Sequence, residues 1–164
     1  MRLYNNRPSP YGRKVLVVAH EKQLLDRIKV IQIDPWSDPP ELVAITPLGK
    51  VPAFVTDDGM LVTESTLIAE YFDTIGSGAG LLGADRLSTL RQTALAQGLI
   101  DAAFAMVVER RRPADRQWEA WSASRNGRPC RRQNLDAVWP GPGRSGYAAR
   151  RMCARFASST RVRQ

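Results

Sequence analysis

Cysteine is scarce in this chain. Cys130 and Cys153 are the only two among 164 residues, and they do not stand in C-x-x-C spacing. So few thiols exclude a disulfide-stapled scaffold. Histidine occurs once, as His20, in the middle of a predicted helix, where it reads as a packing or surface residue instead of a base. Long apolar runs are missing too. Val15–Ala19 spans five residues directly behind Arg13 and Lys14, unlike a signal-peptide core and far short of the roughly 18 residues a membrane span needs. These absences predict a cytoplasmic chain with no membrane association. What is present, 43% apolar and 24% charged residues, suits a soluble globule of one domain or one and a half.

Lysine disappears from the last quarter. Residues 1–122 hold 14 Lys+Arg against 15 Asp+Glu, whereas residues 123–164 hold ten arginines, no lysine and one acid, Asp136. The formal charge of +8 is therefore that of a near-neutral protein with a basic tail. A basic surface over the whole molecule, the usual mark of nucleic-acid binding, is not indicated.

The front of the chain alternates strand and helix signals. Arg2–Asn5 is a short strand candidate. Ser9 is a favourable N-cap and Pro10 a favourable first helical residue, which predicts a helix running to about Leu25. Ile28–Ile33 alternates apolar and polar residues with β-branching, a strand pattern. Asp34–Pro40, with three prolines, is a loop, and Glu41–Ile45 suits about one helical turn. Two β-rich runs, Pro52–Thr56 and Met60–Thr63, flank Asp57-Asp58-Gly59 and predict a hairpin. Leu67, Ile68, Tyr71, Phe72 and Ile75 then fall at helical spacing. The order β-α-β-α-β-β-α over residues 1–76 implies a small α/β sheet.

Residues 77–84 belong to a glycine-rich stretch in which Gly78-Ala79-Gly80-Leu81-Leu82-Gly83 spells G-x-G-x-x-G. That pattern cradles a dinucleotide phosphate when it follows a strand and opens a helix. A helix precedes it here, so it reads as a linker. From Asp85 to about Arg112 apolar residues recur at three- and four-residue steps, including Leu87, Leu95, Leu99 and Met106, and Pro113 stops the pattern. Asp115–Trp121 is expected to begin another helix.

In this order, SPYGRKVLVVAHEK at 9–22, TPLGKVPAF at 46–54 and TESTLIAEYF at 63–72 resemble the glutathione S-transferase family, most closely its bacterial members with serine at the start of the first helix. The segment ALAQGLIDAAFAMVVERRRP at 94–113 resembles the first helix of that family's all-helical second domain. The resemblance implies a thioredoxin-like glutathione-binding domain over 1–76, a linker over 77–84 and an incomplete all-α second domain over 85–121. It also implies that Val51-Pro52 carries a cis-proline, leaving the Val51 backbone N–H and C=O to pair with glutathione as an added strand. Glu64 and Ser65, at a helix start, would hold the γ-glutamyl ammonium and carboxylate, with Lys50 beside the tripeptide. Ser9 would be the catalytic residue, a hydroxyl at a helix N-terminus that favours the thiolate of glutathione over its thiol. Asn5 and Asn6 are weaker candidates for that task. Ser9-Pro10-Tyr11-Gly12 stands where thioredoxins carry C-x-x-C, which excludes dithiol chemistry.

The implied activity is addition of the glutathione thiolate to a small electrophile, with glutathione as co-substrate, no metal, and a homodimer as the family's usual assembly. The resemblance stops near residue 121. Residues 122–164 show no sustained helical period and leave two explanations open: a reading-frame change in a GC-rich gene, or a genuine arginine-rich tail for nucleic acid or an anionic surface. The missing helices leave room for a non-catalytic glutathione- or partner-binding module as the alternative function, and the tail for a nucleic-acid binder.

Overall fold

The computed structural model of the chain describes residues 1–118 and 120. It forms two compact units, Met1–Ala84 and a second beginning at Asp85. In the first unit, strand β1 (Arg2–Asn5) leads through helix α1 (Pro10–Glu21) to β2 (Lys29–Gln32). Helix α2 (Pro40–Ile45), a hairpin of β3 (Ala53–Val55) and β4 (Leu61–Thr63), and helix α3 (Ser65–Ile75) follow. The sheet order is β2-β1-β3-β4, with β1 parallel to β2 and antiparallel to β3. This is the β-α-β-α-β-β-α order of a thioredoxin-like domain.

Period-two alternation divides the sheet into two apolar faces. Leu3, Phe54 and Val62 lie in register across β1, β3 and β4 and pack against Val15 and Ala19 of α1 and Ile68 and Phe72 of α3. The Phe54 and Phe72 rings meet edge to face with centroids 4.8 Å apart, the arrangement favoured by their quadrupoles. The neighbouring positions Tyr4, Ala53 and Val55 face the other way and bury Leu42 of α2. Leu67, which the helical spacing assigns to the apolar stripe, is 53% exposed. It sits in the first turn of α3, one step beyond the stripe set by Ile68 and Phe72.

Helix α1 is shorter than its apolar pattern predicts. It ends at Glu21, and Gln23 adopts φ 56°. The Gln23 N–H reaches the His20 carbonyl (3.0 Å) and the Leu24 N–H reaches Ala19 (2.8 Å), the paired bonds of a Schellman cap. Leu24 is then buried beside Ala19. Leu25–Arg27 forms a separate 3₁₀ turn.

Below this cap a buried ion pair ties three segments together. Lys22, 2% exposed, meets Asp73 of α3 at 3.0 Å and donates to the Ala79 carbonyl at 3.1 Å. Gly76 lets the chain pass this close: a Cβ there would lie 2.4 Å from Lys22 Cβ.

The second unit contributes α4 (Arg86–Arg110), capped by the Asp85 carboxylate on the Ser88 N–H at 3.0 Å. Of its residues only Ile100 is buried, while Leu87 is 78% exposed. In the stretch expected to begin another helix, the described residues form a 3₁₀ turn at Ala114–Arg116, and Ala120 is helical. The expectations for 122–164 fall outside them. No helix among the described residues is long and apolar enough to cross a membrane.

Candidate functional site

Strand register gathers the sequence-predicted residues at one end of the sheet. Tyr4 pairs with Ala53, and Ala53 with Thr63. Continuing by one residue, Asn5 on β1, Pro52 before β3 and Glu64 after β4 stand side by side at the same edge. Ser9 follows β1 through a turn closed by its N–H on the Asn6 carbonyl, 2.9 Å. Three separate segments of the chain, at Ser9, Val51-Pro52 and Glu64-Ser65, therefore lie at one end of the sheet.

Ser9 caps α1. Its Oγ accepts the Gly12 N–H at 3.2 Å, using one lone pair and leaving the hydroxyl proton without an acceptor among the described residues. The side chain is half-buried. It offers a hydroxyl donor at the positive end of a helix, an environment that favours a thiolate over a thiol. Beneath it, Asn5 is 2% exposed and its Oδ1 has no hydrogen-bond partner. A Cβ on Gly12 would fall 1.6 Å from that oxygen, so the strand side chain occupies the space that only a glycine leaves open on the helix. Asn6 is engaged elsewhere, its Nδ2 donating to the Ile33 carbonyl (3.2 Å) and to Asp34 (3.4 Å).

The Val51–Pro52 peptide bond is cis. Pro52 is buried and Val51 half-buried. Among the described residues, neither the N–H nor the C=O of Val51 pairs with another backbone group. That leaves one donor and one acceptor for an extended ligand. Lys50 is exposed in the preceding loop and makes no ion pair among the described residues.

Glu64 departs from ordinary backbone geometry, with φ 73° and ψ 123°, a conformation that costs a non-glycine residue about 1–3 kcal/mol and clusters at functional sites. Its carboxylate accepts from the Thr66 N–H (2.9 Å), the Leu67 N–H (3.1 Å) and the buried Ser65 hydroxyl (3.2 Å). Partial burial opposes its ionisation. The two N–H groups, the Lys14 charge and the Ser65 hydroxyl outweigh that burial and hold the carboxyl below its ordinary pKa. The helix-end donors that the sequence reading offers to a ligand carboxylate are thus shared with Glu64 itself.

Sequence reasoning missed Lys14, whose Nζ donates to Thr66 Oγ1 at 2.9 Å and brings a positive charge from α1 to the start of α3. No short-range pattern announces a contact across 52 positions. It also left open the part played by Asn5, which only the Gly12 contact reveals. His20 is exposed, 3.8 Å from Glu21, and takes no part in the site. No group of three or more His, Cys, Asp or Glu suited to a metal ion occurs among the described residues.

Residues 8–75 match the family model described as glutathione S-transferase, N-terminal domain. An uncharacterised GST-like protein of Escherichia coli, YibF, is 34% identical over 73% of this chain and 59% of its own length. Glutathione S-transferase 2 of Saccharomyces cerevisiae is 33% identical over 51% of this chain and 37% of its own. The chain thus spans less than two thirds of these relatives. A glutathione transferase family member from Pseudomonas fluorescens, solved with bound glutathione, superimposes with a TM-score of 0.73 at 32% identity, over 84% of this chain and 69% of the other.

Proposed function

Because this chain belongs to the glutathione S-transferase family, we propose that its first unit binds reduced glutathione and that Ser9 prepares the thiol for attack on a small electrophile. The observation that carries this reading is the convergence of Ser9, the unpaired Val51 backbone and the Glu64–Ser65 helix start on one sheet edge. The bound glutathione in the Pseudomonas relative supports the choice of ligand.

An extended tripeptide pairs its cysteinyl backbone with the N–H and C=O of Val51, in the manner of an added strand. Glu64, kept ionised by its hydrogen bonds and the Lys14 charge, receives the γ-glutamyl ammonium. The Ser65 hydroxyl, turning from Glu64, and the Ser65 N–H at the α3 start receive the γ-glutamyl carboxylate. Lys50 is within the same loop as Val51 and serves the glycyl end. The Ser9 O–H then donates to sulfur. The thiol releases its proton to solvent, and the thiolate forms an S–C bond as the bond from carbon to the leaving group breaks with its electron pair. The catalytic contribution of Ser9 is electrostatic, through stabilisation of the thiolate.

Calorimetric titration with reduced glutathione tests the first half, and the thiolate absorbance of the bound ligand against pH tests the second. Saturable binding is expected, with a thiol pKa below that of free glutathione which rises in Ser9→Ala. A folded sample that binds no glutathione at millimolar ligand removes the proposal. An unchanged thiol pKa in Ser9→Ala removes the role of Ser9.

A further inference from the structure

A cleft of about 290 Å³, lined by Asn6, Arg7, Pro8, Gln32, Ile33 and Asp34, opens on the β2 side of Ser9. The sheet order β2-β1-β3-β4 places it across β1 from Val51 and Glu64, away from the seat assigned above to the γ-glutamyl group. Its wall is the turn Asn6–Ser9, closed by the Ser9 N–H on the Asn6 carbonyl. Arg7 and Pro8 therefore stand at the corner of this turn, immediately before the residue assigned to the sulfur.

The charges around the cleft are unequal in their commitments. The Asp34 carboxylate accepts from the Trp36 N–H at 3.1 Å and from Asn6 Nδ2 at 3.4 Å, and so serves to cap the Pro35–Ser37 turn. Arg7 is exposed and has neither an ion pair nor a hydrogen bond among the described residues. A guanidinium offers five donors in a planar fork matched to a carboxylate. Pro8 and Ile33 supply apolar surface for the body of a small molecule.

We propose that this cleft receives the second reactant and that Arg7 selects electrophiles carrying a carboxylate close to the reacting atom. The inference rests on the glutathione reading above, because it needs the sulfur at Ser9. The same carboxylate chemistry has another source in the glycyl end of glutathione itself, and the test separates the two. The probes are reduced glutathione, its S-carboxymethyl conjugate and the uncharged S-propyl conjugate. Each is titrated calorimetrically into the full chain, into Arg7→Gln and into Arg7→Lys, at low and high salt.

The wild-type chain is expected to prefer the carboxymethyl over the propyl conjugate by about fivefold, the range of an exposed ion pair. That preference should shrink with salt, vanish in Arg7→Gln and survive in part in Arg7→Lys. Glutathione affinity should stay within about twofold throughout, since the exposed Arg7 holds no structural contact. A preference that persists in Arg7→Gln, or that is absent from the wild type, overturns the inference and leaves the glutathione reading standing. An equal loss of affinity for all three ligands in Arg7→Gln also overturns it and assigns Arg7 to the glycyl carboxylate. If none of the three binds the wild-type chain, the glutathione reading falls, and this inference with it.

Discussion

Gly12→Ala sets two familiar effects against each other at the base of the site. Alanine in a helix interior is normally the better residue by about 0.8–1 kcal/mol. Here the added methyl would lie 1.6 Å from Asn5 Oδ1 and 2.6 Å from its Cγ, well inside van der Waals contact. Asn5 is 2% exposed and sits on β1, so it has no open space to swing into. Either α1 lifts from the sheet or the carboxamide leaves its rotamer, and overpacking of this kind costs about 1–3 kcal/mol. The clash offsets the propensity gain and leaves a net loss of up to about 2 kcal/mol. For a cooperative unit of this size that corresponds to a fall in melting temperature of about 4–8 °C per kcal/mol. Asn5→Ala relieves the conflict: it deletes the contacting atoms together with a buried oxygen that has no partner. In a double-mutant cycle followed by urea unfolding, Gly12→Ala should therefore be harmful alone and neutral or stabilising in the Asn5→Ala background, with a coupling above about 1 kcal/mol. Additive single effects would refute the reasoning, because they would mean that the strand side chain does not fill the place of the missing Cβ.

Three further outcomes follow from the lower half of the first unit. Asp73→Ala should destabilise it by about 3 kcal/mol, the low end for stranding the partner of a buried ion pair, since Lys22 is 2% exposed and the Asp73 side chain still 15% exposed; urea unfolding measures this, and Lys22→Met in the same background should recover part of the loss. Partial burial works against ionisation of Asp73, but the Leu81 N–H, Lys22 and the Leu82 N–H outweigh it and hold its pKa down, as happens at Glu64. Depressed carboxyl groups stabilise the fold fully above their unfolded values, near pH 4, and lose that contribution as pH falls through the folded values; the urea midpoint should accordingly drop on acidification, with a shallower slope in Asp73→Asn, and an unchanged slope would dismiss Asp73 as a source. Gln23→Gly should stabilise α1 by about 0.5–1 kcal/mol, because φ 56° is free to glycine and strained for glutamine; a loss on thermal melting would show that the Gln23 side chain contributes more than the backbone saves.

How legible each element was in the sequence depended on how local its cause was. The α1 start was visible because Ser9 and Pro10 are adjacent and act through the first turn. Its end was not, because the left-handed cap falls on Gln23, where no glycine marks it. The hairpin was visible through Asp57-Asp58-Gly59. Helix α3 was visible through Ile68 and Phe72, but the exposed Leu67 shows that an apolar letter in the first turn need not belong to the buried stripe. At the candidate site, Ser9, Val51 and Glu64 were singled out by motifs that read as short strings. The contacts that hold those strings in place, Asn5 on Gly12 and Lys14 on Thr66, join different elements. They depend on register and helix placement, which composition and periodicity do not encode.

The glycine-rich stretch before Asp85 shows how a pattern can keep its chemistry and change its occupant. In a dinucleotide fold such a loop turns backbone N–H groups and a nearby positive charge toward a phosphate. Here Leu81 donates its N–H to both Asp73 carboxylate oxygens, at 3.0 and 3.1 Å, and Lys22 completes the cradle at 3.0 Å. The loop does hold an anion, but the anion comes from α3. An internal carboxylate attached a few residues upstream competes at high effective concentration and brings its charge already matched to Lys22. An external phosphate would have to displace it and leave Asp73 without its partners in a mostly buried setting. These bonds are a reason, beyond the missing strand, not to read G-x-G-x-x-G as a phosphate loop. The Leu81 and Leu82 N–H groups, two of the donors such a loop would offer, are committed to Asp73 within the first unit.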